Sequence, residues 1–244
     1  MTKTYFKSII KERNYFKNSI VKEHSSLIGE AEISIGLAYK FSKSLNLMLL
    51  REYKKTKKKL DGPSSIIPMI IIKNCNSLYG AYRLIKYNLI NSSYSLIRSI
   101  FEGIQKNYVL TLDNRMARKL FEEDMGHTES YVTFTKIRKK LYQDDMLHRI
   151  ESIYKNLSKK SHPSADGINN DNYYKYEIVE DVLRNISLFS YLNSISILEI
   201  YWDKFNKNER EKLLKWLSSF QNEYKEMTLT PNKFRFTDIH SKLT

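Results

Sequence analysis

Residues 176–204, YEIVEDVLRNISLFSYLNSISILEIYWDK, decide the fold class of this chain. On a helix drawn at 100° per residue, their apolar side chains cover most of the circumference. A helix that is apolar nearly all round belongs in the centre of a protein, with other helices packed against it. We therefore expect a central buried helix here. Asn193, Glu199 and four serines interrupt the segment too often for a membrane span.

The rest of the chain repeats its apolar residues with a helical period, and no alternating strand pattern is longer than about four residues. Seven Gly and four Pro among 244 residues are too few for the many turns of a sandwich or barrel. We predict an all-α fold, a single helical bundle of about 7–9 helices with a long polar loop near residues 159–175. The other predicted helices span residues 4–22, 26–59, 65–88, 92–112, 114–124, 127–142, 144–158 and 207–224.

Three segments of the chain differ in composition. Residues 1–60 are interpreted as a basic N-terminal helical extension, because Asp61-Gly62-Pro63 is a strong helix stop. Residues 61–226 form the predicted helical bundle. Residues 227–244 are interpreted as an extended C-terminal tail.

Positive charge is concentrated near the N-terminus. The formal net charge is +14, and residues 1–60 contain 14 Lys and Arg against five Asp and Glu. A field of this sign attracts polyanions, so RNA or DNA is the expected partner and an acidic protein is the alternative. A solvated, lysine-rich helix face would give the same composition. The candidate nucleic-acid-binding residues are Lys54, Lys55, Lys57, Lys58, Lys59, Lys159 and Lys160.

Cysteine content and apolar runs limit the other classes of protein. A single cysteine, Cys75, excludes a disulfide framework within the chain and any Cys-based zinc cluster, and its apolar neighbours predict a small core residue. Residues 1–7 do not develop the apolar core of a signal peptide. The strongest apolar run, residues 66–72, is too short to cross a bilayer. We expect a soluble, cytoplasmic protein with no membrane partner.

One predicted helix, 92–112, carries a polar stripe beside its apolar face. Tyr94, Arg98, Glu102 and Gln105 fall within about 80° of one another at helical spacing. An Arg and a carboxylate next to a core are costly to bury unless they are paired, so the stripe is a candidate site. The alternative is an ordinary i,i+4 ion pair at the edge of a solvated face.

A second candidate lies where a predicted helix ends in the polar loop. His162 is followed by Pro163, and such a histidine can serve as a general base near neutral pH. Ser158 lies one turn before it, and Lys159 and Lys160 could hold a phosphate. The alternative is a surface histidine that interacts favourably with the negative end of the helix dipole.

Metal and nucleophile motifs are weak. Asp124-x-x-His127 and Asp145-x-x-His148 have spacings related to those of di-metal bundles, but aspartate reaches less far than the usual glutamate. The sequence has no nucleophile elbow and no Gly-rich phosphate loop. We expect no metal and no cofactor.

Two of these pieces together resemble a known group. Leu96-Ile97-Arg98-Ser99-Ile100-Phe101-Glu102, followed by Tyr154-x-x-Leu157-Ser158-x-x-x-His162-Pro163-Ser164, resembles HEPN-like helical proteins of the bacterial toxin and abortive-infection families, many of them uncharacterised. The resemblance covers residues 90–200 at most. It implies a helical bundle, usually dimeric, that cleaves RNA without a metal.

The resemblance also implies roles for residues. Arg98 would hold the phosphate, His162 would be the acid/base, and Glu102 and Ser158 would orient them. HEPN enzymes place the arginine four to six residues before the histidine, where this chain has Asn156, Leu157 and Ser158. Arg98 from the other helix, or Lys159 and Lys160, would have to supply that cation.

Two functions are consistent with these observations. The first is a toxin or anti-phage defence effector, a candidate metal-independent endoribonuclease that acts as a homodimer. The second is a non-enzymatic helical subunit that binds nucleic acid or a partner protein, such as an antitoxin or a component of a defence complex. In that case His162 would form a structural hydrogen bond to Glu102 or Ser158.

Overall fold

The computed structural model describes residues 2–57, 62–112, 144–161 and 175–220. These residues are 93% helical and contain no strand, which confirms the all-α prediction. Seven α-helices and one short 3₁₀-helix, Trp202–Lys204, make up the described bundle. The α-helices are α1 (Thr2–Glu23), α2 (Ser25–Thr56), α3 (Gly62–Lys86), α4 (Ile90–Leu112), α5 (Asp144–Ser161), α6 (Tyr176–Tyr201) and α7 (Lys207–Leu217).

Helix α6 is the centre of the bundle, as its composition predicts. Every residue from Ile186 to Leu198 is buried, and α2, α3 and α4 pack around the helix. The hydroxyls of Ser194 and Ser196 donate to backbone carbonyls of α6 itself, each at 2.8 Å. Ser194 and Ser196 can therefore be buried, because their hydrogen bonds are made locally.

Helices α3 and α4 form a closely packed antiparallel pair. Asn88, with φ 58°, lies between them in the left-handed region and allows the chain to reverse. The pair is tightly packed at two glycines, Gly80 opposite Leu96 and Gly103 opposite Asn74. A Cβ atom at Gly103 would lie 2.5 Å from Asn74 Oδ1, so this position has no room for a side chain.

One predicted helix start is confirmed, and two helix ends differ from the prediction. Asn206 and Glu209 form the predicted capping box of α7, with both hydrogen bonds at 2.9 Å. Helix α2 ends at Thr56, before the predicted residue 59, because Lys57 adopts a left-handed conformation with φ 57°. Helix α5 continues to Ser161, so the first three residues of the predicted loop 159–175 are helical and that boundary was wrong.

The core continues across the predicted domain boundary between residues 60 and 61. Phe41, Leu45 and Met48 of α2 belong to the same buried cluster as the apolar residues of α6, so the segment called an N-terminal extension contributes to the common core. The predicted tail, residues 227–244, lies outside the described residues. Within the described part of the chain, no helix is long and apolar enough to span a bilayer.

Candidate functional site

The candidate site is a charged group between α4 and α5, which we call the arginine cluster: Arg98, Glu102 and Tyr154. Arg98 Nε donates to Glu102 Oε1 at 3.0 Å, as the i,i+4 spacing predicts. Arg98 Nη2 donates to the Tyr154 hydroxyl at 2.8 Å, across 56 residues of sequence. The guanidinium carbon lies 5.0 Å from the centre of the Tyr154 ring. The two helices are thus joined through one cation.

Arg98 is partly desolvated and remains charged. Its side chain is 27% exposed and that of Glu102 is 22% exposed. Partial burial acts against the charge, but the hydrogen bonds and the attraction from Glu102 and Tyr154 outweigh it and raise the pKa of Arg98. An anion entering this site would meet a fixed, fully charged guanidinium.

The last turn of α5 is fixed against α4. The hydroxyl of Ser95, one turn before Arg98, shares its single proton between two acceptors, the carbonyl of Asn91 in its own helix at 3.0 Å and the carbonyl of Ser161 at 3.3 Å. Ser161 Oγ donates in turn to the Ser158 carbonyl at 3.0 Å. The chain reaches His162 directly after this contact, and His162 itself lies outside the described residues.

The surroundings of Lys160 do not match the phosphate-binding role that the sequence predicts for this residue. Its ammonium donates to Asp181 of α6 at 2.7 Å and to the Tyr94 hydroxyl at 3.3 Å. Tyr94 also hydrogen-bonds to Asp181, and burial raises the pKa of Tyr94. Asp181 therefore offsets the charge of Lys160, and the three residues connect α4, α5 and α6.

The other predicted residues are distributed over the surface. Lys54, Lys55 and Lys57 are exposed at the end of α2. Near them, Arg51 pairs with Glu209 of α7 at 2.6 Å, so this end of α2 lies beside α7 rather than at the α4–α5 contact. Lys159 is exposed and Ser158 is half-buried on α5. Lys58 and Lys59 lie outside the described residues.

The structure describes the side chain of Gln105, the last residue of the α4 stripe, but not the side chains of the two predicted metal motifs. Gln105, the fourth member of the α4 stripe, is buried with 1% exposure. Asp124 and His127 lie outside the described residues, and the side chains of Asp145 and His148 are not described. Among the residues that are described, no group of three His, Cys, Asp or Glu side chains could hold a metal ion.

A groove of about 660 Å³ borders the arginine cluster, between residues 65–74 of α3 and residues 99–106 of α4. Glu102 lines it, together with Lys73 and Lys106. Sequence analysis did not select these lysines. Lys106 lies one turn after Glu102, so helical spacing could have found it. Lys73 becomes a neighbour only through the packing of α3 on α4.

Comparisons of the chain with protein-family models, with curated proteins and with solved structures find no match. The arguments for function below therefore depend on the residues and on their geometry.

Proposed function

We propose that this chain is a metal-independent endoribonuclease of the toxin or anti-phage defence type, with its site where α4 meets the end of α5. One observation carries the proposal. Arg98 is a fixed, partly exposed cation on α4. Ser95, one turn before Arg98 on the same helix, contacts Ser161, the residue that directly precedes His162 in the sequence. The resemblance of these segments to HEPN-like proteins supports the same assignment.

The chemistry needs a base and a cation. His162 would remove the proton from a ribose 2′-hydroxyl, and the 2′-oxygen would attack the adjacent phosphorus. The new O2′–P bond forms as the P–O5′ bond breaks, and the departing O5′ takes up the proton that His162 removed, which gives a 2′,3′-cyclic phosphate and a 5′-hydroxyl end. Arg98 would stabilise the negative charge that builds on the phosphoryl oxygens. Glu102 and Ser158 are assigned to orient Arg98 and His162.

The groove beside Glu102 supports an RNA substrate. Lys73 and Lys106 line it and would contact phosphates on either side of the cleaved bond. Lys160 is a weaker candidate for such a contact than the sequence alone suggests, because Asp181 pairs with it. The exposed lysines at the end of α2 would bind more distant parts of the polyanion.

A second candidate function is binding of nucleic acid or a partner protein without cleavage. The specific observation in its favour is the ion pair itself, because Glu102 already occupies Arg98 at 3.0 Å. A phosphate must compete with this carboxylate before Arg98 can assist a reaction. If phosphate does not displace Glu102, the arginine cluster only holds α4 to α5, and the lysines bind the nucleic acid or the partner protein.

A homodimer in the cytoplasm, controlled by an antitoxin or by a partner in a defence complex, completes the proposal. It is supported by the resemblance alone. Light scattering on the purified protein, with and without RNA, tests the dimer.

The test of cleavage is an assay on total RNA and tRNA in EDTA. We expect the wild type to cleave and His162→Ala to lose at least about 100-fold in rate, the usual effect of removing a general base. Cleaved ends should carry a 2′,3′-cyclic phosphate. An inactive wild type that still binds RNA in a salt-sensitive manner would contradict the nuclease and select the second candidate.

A further inference from the structure

A second groove opens among α1, α2 and the C-terminal half of α3, on a different face of α3 from the groove beside Glu102. Its volume is about 470 Å³, within the range of about 300–1,000 Å³ that small-molecule sites occupy. Four tyrosines, three cations and one carboxylate line it. We call it the tyrosine groove. No residue of it belongs to the arginine cluster.

Two tyrosines present accessible rings in this groove. Tyr79 of α3 is 47% exposed and Tyr39 of α2 is 40% exposed. Tyr39 donates from its hydroxyl to Asn76 at 2.8 Å, which fixes its ring beside α3. Tyr79 lies 6.5 Å from the ring of Tyr82, at an angle of 36°. Held tyrosine rings that remain open to solvent are surfaces on which a flat aromatic ligand stacks.

The cations of the groove lie against the tyrosine rings. The guanidinium of Arg83 is 6.0 Å from the ring centre of Tyr79, and the ammonium of Lys86 is 4.8 Å from that of Tyr82. Lys17 of α1 lies 5.5 Å from the ring of Tyr87. Arg83 therefore places positive charge beside the accessible ring of Tyr79, and the two lysines add positive charge elsewhere along the groove. A ligand that joins an aromatic ring to an anionic group matches this pairing.

A carboxylate completes the polar wall of the groove. The hydroxyl of Tyr82, which is only 4% exposed, hydrogen-bonds to Glu32 and accepts from Lys86 at 2.8 Å. The Glu32 side chain is 56% exposed, so its oxygens can also accept hydrogen bonds from a ligand. Vicinal sugar hydroxyls are suitable donors. With three cations and one carboxylate, the groove still favours an anion.

We propose that the tyrosine groove binds one nucleoside monophosphate unit. The base stacks on Tyr79 and Tyr39, the phosphate contacts Arg83 with Lys17 or Lys86, and the ribose hydroxyls donate to Glu32. The same unit has two sources, a free nucleotide or the 3′-terminal nucleotide of single-stranded RNA, which keeps both ribose hydroxyls. This inference goes beyond the proposed function and does not depend on cleavage.

The experiment is isothermal titration in EDTA with three probes: AMP, a six-nucleotide single-stranded RNA, and inorganic phosphate. The RNA arm uses the His162→Ala chain, so that cleavage does not enter the measurement. Loss of the stacking ring in Tyr79→Ala should weaken binding at least about tenfold, whereas Tyr79→Phe should retain it. Tyr53→Ala is the matched control, because Tyr53 is 45% exposed on α2 outside the groove.

If AMP binds in a Tyr79-dependent manner, the proposal is supported and the ligand is a free nucleotide. If the RNA binds in this manner and AMP does not, the proposal is supported and the ligand is RNA. The proposal is overturned if neither probe binds, if Tyr79→Ala and Tyr53→Ala behave alike, or if phosphate binds as tightly as the nucleotide. If the protein binds AMP in the tyrosine groove but does not cleave RNA, the groove proposal is supported and the proposed function is contradicted.

Discussion

Among the polar clusters that join helices of this bundle, the asparagine cluster and the arginine cluster differ in charge and exposure. The asparagine cluster, formed by Asn74, Cys75 and Asn193, connects α3 to α6 and is almost completely buried. Asn74 donates to Asn193 at 3.0 Å, and Asn193 donates to the sulfur of Cys75 at 3.7 Å. The arginine cluster connects α4 to α5 and is about one quarter exposed.

This difference in charge and exposure distinguishes polar groups that stabilise the fold from polar groups that can bind a ligand. A neutral cluster that is almost completely buried can fix how two helices pack, but it offers a ligand no charge and almost no accessible surface. A charged cluster at the edge of a groove contributes little to stability because water competes with its ion pair, yet it can meet a ligand. The comparison therefore predicts that stability depends on the asparagine cluster and that activity depends on the arginine cluster.

The largest difference in stability should come from Asn193→Ala compared with Arg98→Ala. Removing Asn193 leaves the buried amide of Asn74 without its acceptor and creates a cavity, which costs roughly 3 kcal/mol in the free energy of unfolding. Removing Arg98 should cost about 1 kcal/mol or less. Urea unfolding of the two variants measures both. Equal costs would mean that the arginine cluster is structural.

A somewhat smaller effect is expected from Gly103→Ala. The added Cβ would lie 2.5 Å from Asn74 Oδ1, so Asn74 must move away from Asn193 or the helices must separate. We expect a loss of about 2 kcal/mol in thermal or urea unfolding. Gly29→Ala is the control, since nothing lies within 4 Å of its Cβ position, and it should stabilise α2 by about 0.5 kcal/mol. Similar results for both glycines would contradict the close packing of α3 on α4.

The asparagine cluster should also make the stability of the protein depend on pH. Burial raises the pKa of the Cys75 thiol to about 12. Because the folded state favours the neutral thiol, its contribution is fully present below about pH 8.5 and is lost as the pH rises toward 12. The difference in unfolding free energy between wild type and Cys75→Ala should fall by up to about 1.4 kcal/mol per pH unit in that window. A difference that stays constant from pH 8 to 11 would show that the thiol is not buried.

Features of the structure that depend on local spacing could be predicted from the sequence. The composition of α6 predicts its burial, Asn206-x-x-Glu209 predicts the capping box of α7, and the four-residue interval predicts the contact between Arg98 and Glu102.

Features that depend on packing could not be predicted. The partner of Lys160 and the tyrosine groove arise from the angles at which helices pack, and sequence spacing carries no such information. The contact between Arg98 and Tyr154 also needs α5 to lie on α4, although both residues belong to the quoted motif. The role of His162 stays a prediction.

The decisive experiment compares the rate of RNA cleavage in EDTA by Arg98→Ala with the rate by Arg184→Ala. Arg184 is the matched control, because it also pairs with a glutamate one turn away, Glu180, at 2.9 Å, on an exposed part of α6. We predict that Arg184→Ala cleaves at the wild-type rate and that Arg98→Ala, still folded, loses at least about 100-fold. Equal rates for the two variants would contradict the assignment of the arginine cluster as the site of RNA cleavage.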